Sequence, residues 1–155
     1  RACPHAKCVM HVHSIYATVL ACLADSRLPA IDQNSAMFFN RHVVDDGYGG
    51  MALGDEGARC ATLLADPKMT TLVMGNHGVL VIGQTVAETF HRLYYFERAA
   101  ETYIKALQTG QPLRVMPDAI AEKTAQEWED YPGFAEAHLR EIKAILRDEG
   151  ADFEA

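Results

Sequence analysis

Residues 70–83, TTLVMGNHGVLVIG, place two apolar runs on either side of Gly75-Asn76-His77-Gly78. Short apolar runs split by glycines read as two buried strands joined by a tight turn. The helix signal that follows is the strongest in the chain. Over 85–108, Thr85 stands as N-cap with Glu88 three residues on, the capping-box pattern. Val86, Phe90, Leu93, Tyr94, Glu97, Ala100, Tyr103, Ile104 and Leu107 then recur at spacings of three and four, and Gly110 ends the helix. Such alternation of strands and helices, which continues along the chain, favours an α/β layered domain over a bundle or a β sandwich.

The flanking segments agree. CVMHV (8–12) predicts a strand, and SIYATVLACLADSRLP predicts a helix with Ser14 as N-cap, an apolar face of Ile15, Val19, Leu20 and Leu23, and Pro29 as its close. Residues 36–50 predict a strand and then a glycine-rich loop, 55–65 a helix with acidic residues in its first turn, and 118–129 and 133–149 two amphipathic helices separated by DYPG. No internal repeat or low-complexity stretch appears.

Composition narrows the function classes. The 155 residues, 49% hydrophobic and 23% charged, suit one domain with a real core. The net charge of −7 resides wholly in residues 118–155, which hold eleven acidic and four basic residues, while 1–117 balance at ten against ten. No clustered basic surface is available for phosphates, so a nucleic-acid partner is not expected. No apolar run approaches the roughly 18 residues of a membrane span, and no basic, apolar leader is visible, so no membrane association is expected. Cys3, Cys8, Cys22 and Cys60 form no C-x-x-C pair, and such sparse thiols suggest a reducing, cytoplasmic setting. We read 1–117 as a core, N-terminally incomplete because the chain starts at Arg1 already close to a strand, and 118–155 as an acidic helical arm.

Histidines are the residues with chemistry to offer. His11 and His13 lie two apart on an extended segment, so they project to one face while Val12 faces the other. Two imidazoles on one face can chelate a cation, and a catalytic zinc site takes three protein ligands and keeps a position for water or substrate. His77, between glycines in the turn, is the third candidate. His5, His42, His91 and His138 are read as solvated or structural. Asn76 is read as bonding across the turn ahead of positioning substrate, and Tyr94, Tyr95 and Phe96 as core or subunit contacts.

VMHVHS with LPA after it, then DDGYGGMAL, MGNHGVLVIGQTVAETF and RLYYFERAAETYIKAL, resemble in words and order the class II aldolase/adducin family over about residues 5–110. The DDGYGG stretch is most similar to the adducin-head branch and its bacterial relatives. The resemblance implies a three-layer α/β/α sandwich around a mixed, largely antiparallel sheet. It also implies His11, His13 and His77 as metal ligands, with Zn2+, or Mn2+ or Co2+, as the ion. The activity implied is that of a metal-dependent lyase or epimerase: aldol cleavage, epimerisation or decarboxylation of a small hydroxy-carbonyl or carboxylated substrate through a metal-stabilised enediolate or enolate. A sugar phosphate is one such substrate. Family members place a proton-transfer carboxylate and phosphate-gripping loops upstream of H-x-H, beyond the residues at hand, so 1–155 alone are expected to bind metal but to be poorly active. They also draw a tyrosine from a neighbouring subunit, which points to a homo-oligomer, a tetramer, and by position alone to Tyr131 as a catalytic residue. The alternative is a non-catalytic interaction module like the adducin head; adducins largely lack the metal-binding histidines, which are present here.

Overall fold

The computed structural model describes residues 3–50 and 55–153. Met51-Ala52-Leu53 of the DDGYGGMAL motif therefore lie outside the described residues. Four strands, β1 (Cys8–Val12), β2 (His42–Asp45), β3 (Thr71–Met74) and β4 (Gly78–Gly83), form one sheet in the order β1-β4-β3-β2. β4 runs antiparallel to both β1 and β3, while β2 lies parallel to β3. The sheet is thus mixed and largely antiparallel.

Alternation along the strands assigns the faces. Val73, Val79 and Val81 meet Ala17, Leu20, Phe38, Phe96, Ala99 and Ala100 in the larger cluster, under α1 (Ile15–Ala21) and α4 (Val86–Gln108). Leu72, Met74 and Ile82 meet Cys60 and Leu64 of the α3 (Glu56–Leu63) region on the opposite face. Helices therefore cover both faces of an α/β fold. A short α2 (Gln33–Ala36) precedes β2, and α5 (Asp118–Glu129) and α6 (Phe134–Asp148) complete the described elements.

Three expectations need correction. The segment at 36–50 opens as the end of a helix: Asp32 and Ser35 form a full capping box for α2, and the strand begins only at His42. The helix after β1 ends at Ala21, far short of Pro29, and Ile15 and Val19 are exposed while Ala17, Leu20 and Ala21 are buried. Small residues win there because α1 packs against Ala99 and Ala100 of α4, where bulk would hold the helices apart. On α4, Val86, Tyr94 and Leu107 are exposed, and the buried stripe runs through Ala87, Thr89, His91, Phe96, Ala99, Ala100 and Ile104.

Residues after 117 fold back on the rest. Ala121 and Ala125 of α5 are buried, and Trp128 Nε1 donates to the Gln33 carbonyl of α2. Arg41, only 4% exposed, reaches Glu122 at 2.6 Å and Glu129 at 2.9 Å, which fastens α5 beside the root of β2.

Candidate metal centre

The fold brings His11, His13 and His77 together although 64 positions separate the last two in sequence. One ring nitrogen from each lies within 4.8 Å of the other two, and the ring centroids are 4.8 to 5.0 Å apart in edge-on arrangement. β1 pairs with β4 so that His11 stands opposite Leu80 and Val12 opposite Val79, which puts the end of β1 beside the turn that bears His77. The turn itself is held by three backbone bonds: Gly75 to the Asp45 carbonyl, Asn76 to Ala21, and His77 to Met74. Asn76 takes the left-handed conformation with φ of 56°, which asparagine enters more readily than most residues. Gly78 is required for a different reason: a Cβ there would lie 2.6 Å from the Val12 carbonyl oxygen and 2.9 Å from His13 Cδ2. The glycine lets the turn close onto the second histidine.

Hydrogen bonding fixes the chemistry of the first ring. His11 Nδ1 lies 3.0 Å from the Val79 carbonyl oxygen, which can only accept, so Nδ1 carries the proton and Nε2 keeps its lone pair. Nε2 of His11 and Nε2 of His13 are 3.1 Å apart. Two ligands at ~2.0–2.1 Å from a tetrahedral zinc would be ~3.3–3.4 Å apart, so this pair fits one edge of such a site. Burial, and then the neighbouring rings of His77 and His13, favour the neutral form of His11 and lower its pKa, against the pull of the Val79 bond and Glu56. His11 and His13 are exposed, which leaves a side open to a further ligand.

Two groups near the rings were missed by sequence reasoning. Tyr48 of DDGYGG has its ring 5.9 Å from that of His77. Glu56, which the sequence suggests only as a dipole-stabilising residue, has a carboxylate oxygen 3.2 Å from His77 Nδ1. Asp45, buried at the end of β2, binds Arg59 of α3 at 2.7 Å and so ties that helix to the sheet. Beside the rings a groove of about 560 Å³ is lined by His11, His77, Glu56, Val9, Cys60 and Leu80 among others. Burial raises the Cys60 thiol above its usual range.

Glu97 explains how the far side of the site is braced. It sits among the apolar spacings of α4, yet its carboxylate accepts from Ser14 Oγ at 2.6 Å and from the Tyr16 and Ala17 amides at 2.9 and 2.8 Å. The expected cap at Ser14 is therefore indirect: its own side chain makes no cap bond, and α4 supplies the acceptor. That contact pins the start of α1 directly after His13.

Tyr131 lies elsewhere in this chain. It is 65% exposed in the turn between α5 and α6, with its ring 5.2 Å from Phe134. The cavity it lines, about 270 Å³ with Arg41, His91, Arg92 and Trp128, includes none of the three clustered histidines. His42 donates from Nδ1 to Phe38 and accepts the Leu28 amide on Nε2, a fully satisfied structural role. His5 bonds the Leu64 carbonyl at 2.9 Å.

Comparison with known proteins accords with this picture. The family model "Class II Aldolase and Adducin N-terminal domain" matches residues 1–104. The chain belongs to the class II aldolase/adducin family. Within that family it is 27% identical over 147 residues to the decarboxylase NovR of Streptomyces niveus, covering 90% of this chain and 53% of that protein. It is 30% identical over 104 residues to human gamma-adducin, covering 67% of this chain and 14% of that protein. A solved aldolase II superfamily protein from Pseudomonas syringae superposes with a TM-score of 0.79 at 26% identity, over 95% of this chain and 59% of that one. The chain thus spans about half the length of the decarboxylase relative and 14% of that of the adducin. The class II aldolase-like fold read from the motifs is the one observed.

Proposed function

We propose that this chain is the metal-binding core of a divalent-metal-dependent lyase or epimerase. The observation that supports it most is the meeting of three histidine nitrogens within 4.8 Å, at a site with an exposed side and an adjoining groove. His11, His13 and His77 would hold the ion, with Zn2+ first and Mn2+ or Co2+ as alternatives. When bound, such an ion supplies a Lewis acid that polarises a carbonyl beside the bond to be broken. The residues of this chain would hold it by lone pairs: the Val79 carbonyl keeps His11 in the tautomer that offers Nε2, and Gly78 admits His13 to the site. The substrate is a small hydroxy-carbonyl or carboxylated compound, and aldol cleavage, epimerisation and decarboxylation share the same need for a polarised carbonyl. The decarboxylase relative favours the last of the three.

In this reading the protein is a cytoplasmic homo-oligomer, a tetramer, and Tyr131, exposed on the surface, serves the centre of a neighbouring subunit. All four cysteines are free, which suits a reducing compartment. Among the described residues no helix is long and apolar enough to cross a membrane. The gamma-adducin relative favours a second reading, a non-catalytic module for assembly. Metal content separates the two. Protein purified without nickel resin and analysed by plasma mass spectrometry is expected to contain one divalent ion per chain, and a folded, metal-free sample that takes up none on addition would leave the assembly module.

A further inference from the structure

Glu56 has no task in the mechanism so far, yet it faces the centre from the first turn of α3. One of its carboxylate oxygens stands 3.2 Å from His77 Nδ1. That nitrogen is buried and, among the described residues, has no hydrogen-bond partner, because the oxygen lies off the direction of an N–H bond. An orphaned buried polar atom beside a partly exposed carboxylate is unusual, since such atoms are nearly always satisfied. The side chains of Glu56 and His77 are 29% and 23% exposed, and both line the groove beside the rings, outside the packed core. Helix α3 is itself anchored by the ion pair of Arg59 with buried Asp45.

We infer that Glu56 is a positioning residue of the metal centre: its carboxylate takes the Nδ1–H of His77 and so leaves the Nε2 lone pair for the ion. The inference rests on the metal reading above. It has a precedent within the same site, where the Val79 carbonyl does the same for His11. Ligating histidines in general pass their second N–H to a carboxylate or carbonyl, which orients the ring and raises its basicity. Glu56 acts through His77 and not as a ligand, since the group whose atoms converge within 4.8 Å comprises the three histidines alone among the described residues.

The test measures zinc affinity of the full chain by competition with a chromogenic chelator, using Zn2+ alone as probe. Glu56→Ala is expected to weaken binding 10–100-fold. Glu56→Gln, whose amide oxygen still accepts, is expected to lose less than about tenfold. Adding Glu56→Ala to His77→Ala should cost nothing more, because the ring it orients is gone. Replacing Zn2+ with Co2+ gives a readout that a merely structural role would not move: the visible ligand-field bands should shift in Glu56→Ala and recover in Glu56→Gln. Glu56→Met, similar in volume but without an acceptor, makes the same comparison should the alanine variant not fold. Unchanged zinc affinity in the folded Glu56→Ala or Glu56→Met chain, or a full additive loss in the double variant, overturns the role of Glu56 alone. Failure of the unmutated chain to bind Zn2+ overturns the metal reading and this inference together.

Discussion

Two groups of histidines occupy this molecule and differ in almost every physical respect. His11, His13 and His77 gather at strand ends with two of the rings exposed and a groove beside them. His91 and His138 meet between α4 and α6, Nδ1 to Nδ1 at 3.1 Å, inside a cage of Phe90, Tyr94, Tyr95, Trp128 and Phe134. In the second pair one ring donates and the other accepts, and aromatic rings pack against both. Burial, then His138 and Arg92, press the His91 pKa down to about 4 against the weaker pull of Glu136, and burial lowers His138. The same side chain is therefore packing material at one place and an open donor set at the other. What separates them is the third imidazole: three nitrogens converge at an exposed side in one group, and two meet among aromatic rings in the other.

Exchanging single residues should break that contrast cleanly. His13→Ala removes one donor from a three-donor set; with structural zinc sites worth roughly 10–16 kcal/mol over four ligands, zinc affinity should fall by ~10²–10³-fold. Because His13 is exposed, its thermal midpoint should move little. His91→Ala should do the reverse, leaving zinc titrations unchanged while denaturant unfolding reports a loss of about 2–4 kcal/mol from the emptied aromatic cage. Acid sharpens the comparison further. His91 has a folded pKa of about 4 against an ordinary 6.5, so the unfolded chain binds the extra proton first. Stability should then be full above pH ~6.5, decline as pH falls toward ~4 by at most about 3 kcal/mol, and be blunted in His91→Phe. Urea titrations at stepped pH would show it.

Smaller effects bear on the scaffold of the centre. Gly78→Ala pushes a methyl group against the Val12 carbonyl and the His13 ring, and roughly tenfold weaker zinc binding is expected in the same chelator assay. Glu97→Ala removes the acceptor shared by Ser14, Tyr16 and Ala17. A loss of about 1–2 kcal/mol, the usual worth of a helix cap, should appear in thermal unfolding.

The sequence was most legible where local chemistry and tertiary packing asked for the same residues. β3, its turn, β4 and α4 fall within a residue or two of their expected bounds, because Thr85 does accept the Glu88 amide and the apolar runs do lie in the sheet. The histidine meeting was legible through H-x-H on a strand and through family likeness, since nothing local links His77 to residue 11. Less legible was anything decided by a distant partner. The buried face of α1 is set by alanines of α4, which no periodicity in α1 reveals. Glu97 looks misplaced among apolar spacings until α1 is seen to lack its own cap. Glu56 reads as a helix-dipole residue, and its second role depends on a turn some twenty positions away. The Asp32–Ser35 capping box starts α2 just ahead of the aromatic and β-branched run that reads as a strand.

X-ray absorption at the zinc edge, on the full chain loaded with one equivalent of Zn2+, tests the central claim most directly. The account predicts nitrogen or oxygen scatterers at ~2.0–2.1 Å with the outer-shell pattern of three imidazoles, reduced to two in His13→Ala. Sulfur scatterers at ~2.3 Å, or a spectrum that His13→Ala leaves unchanged, would contradict it.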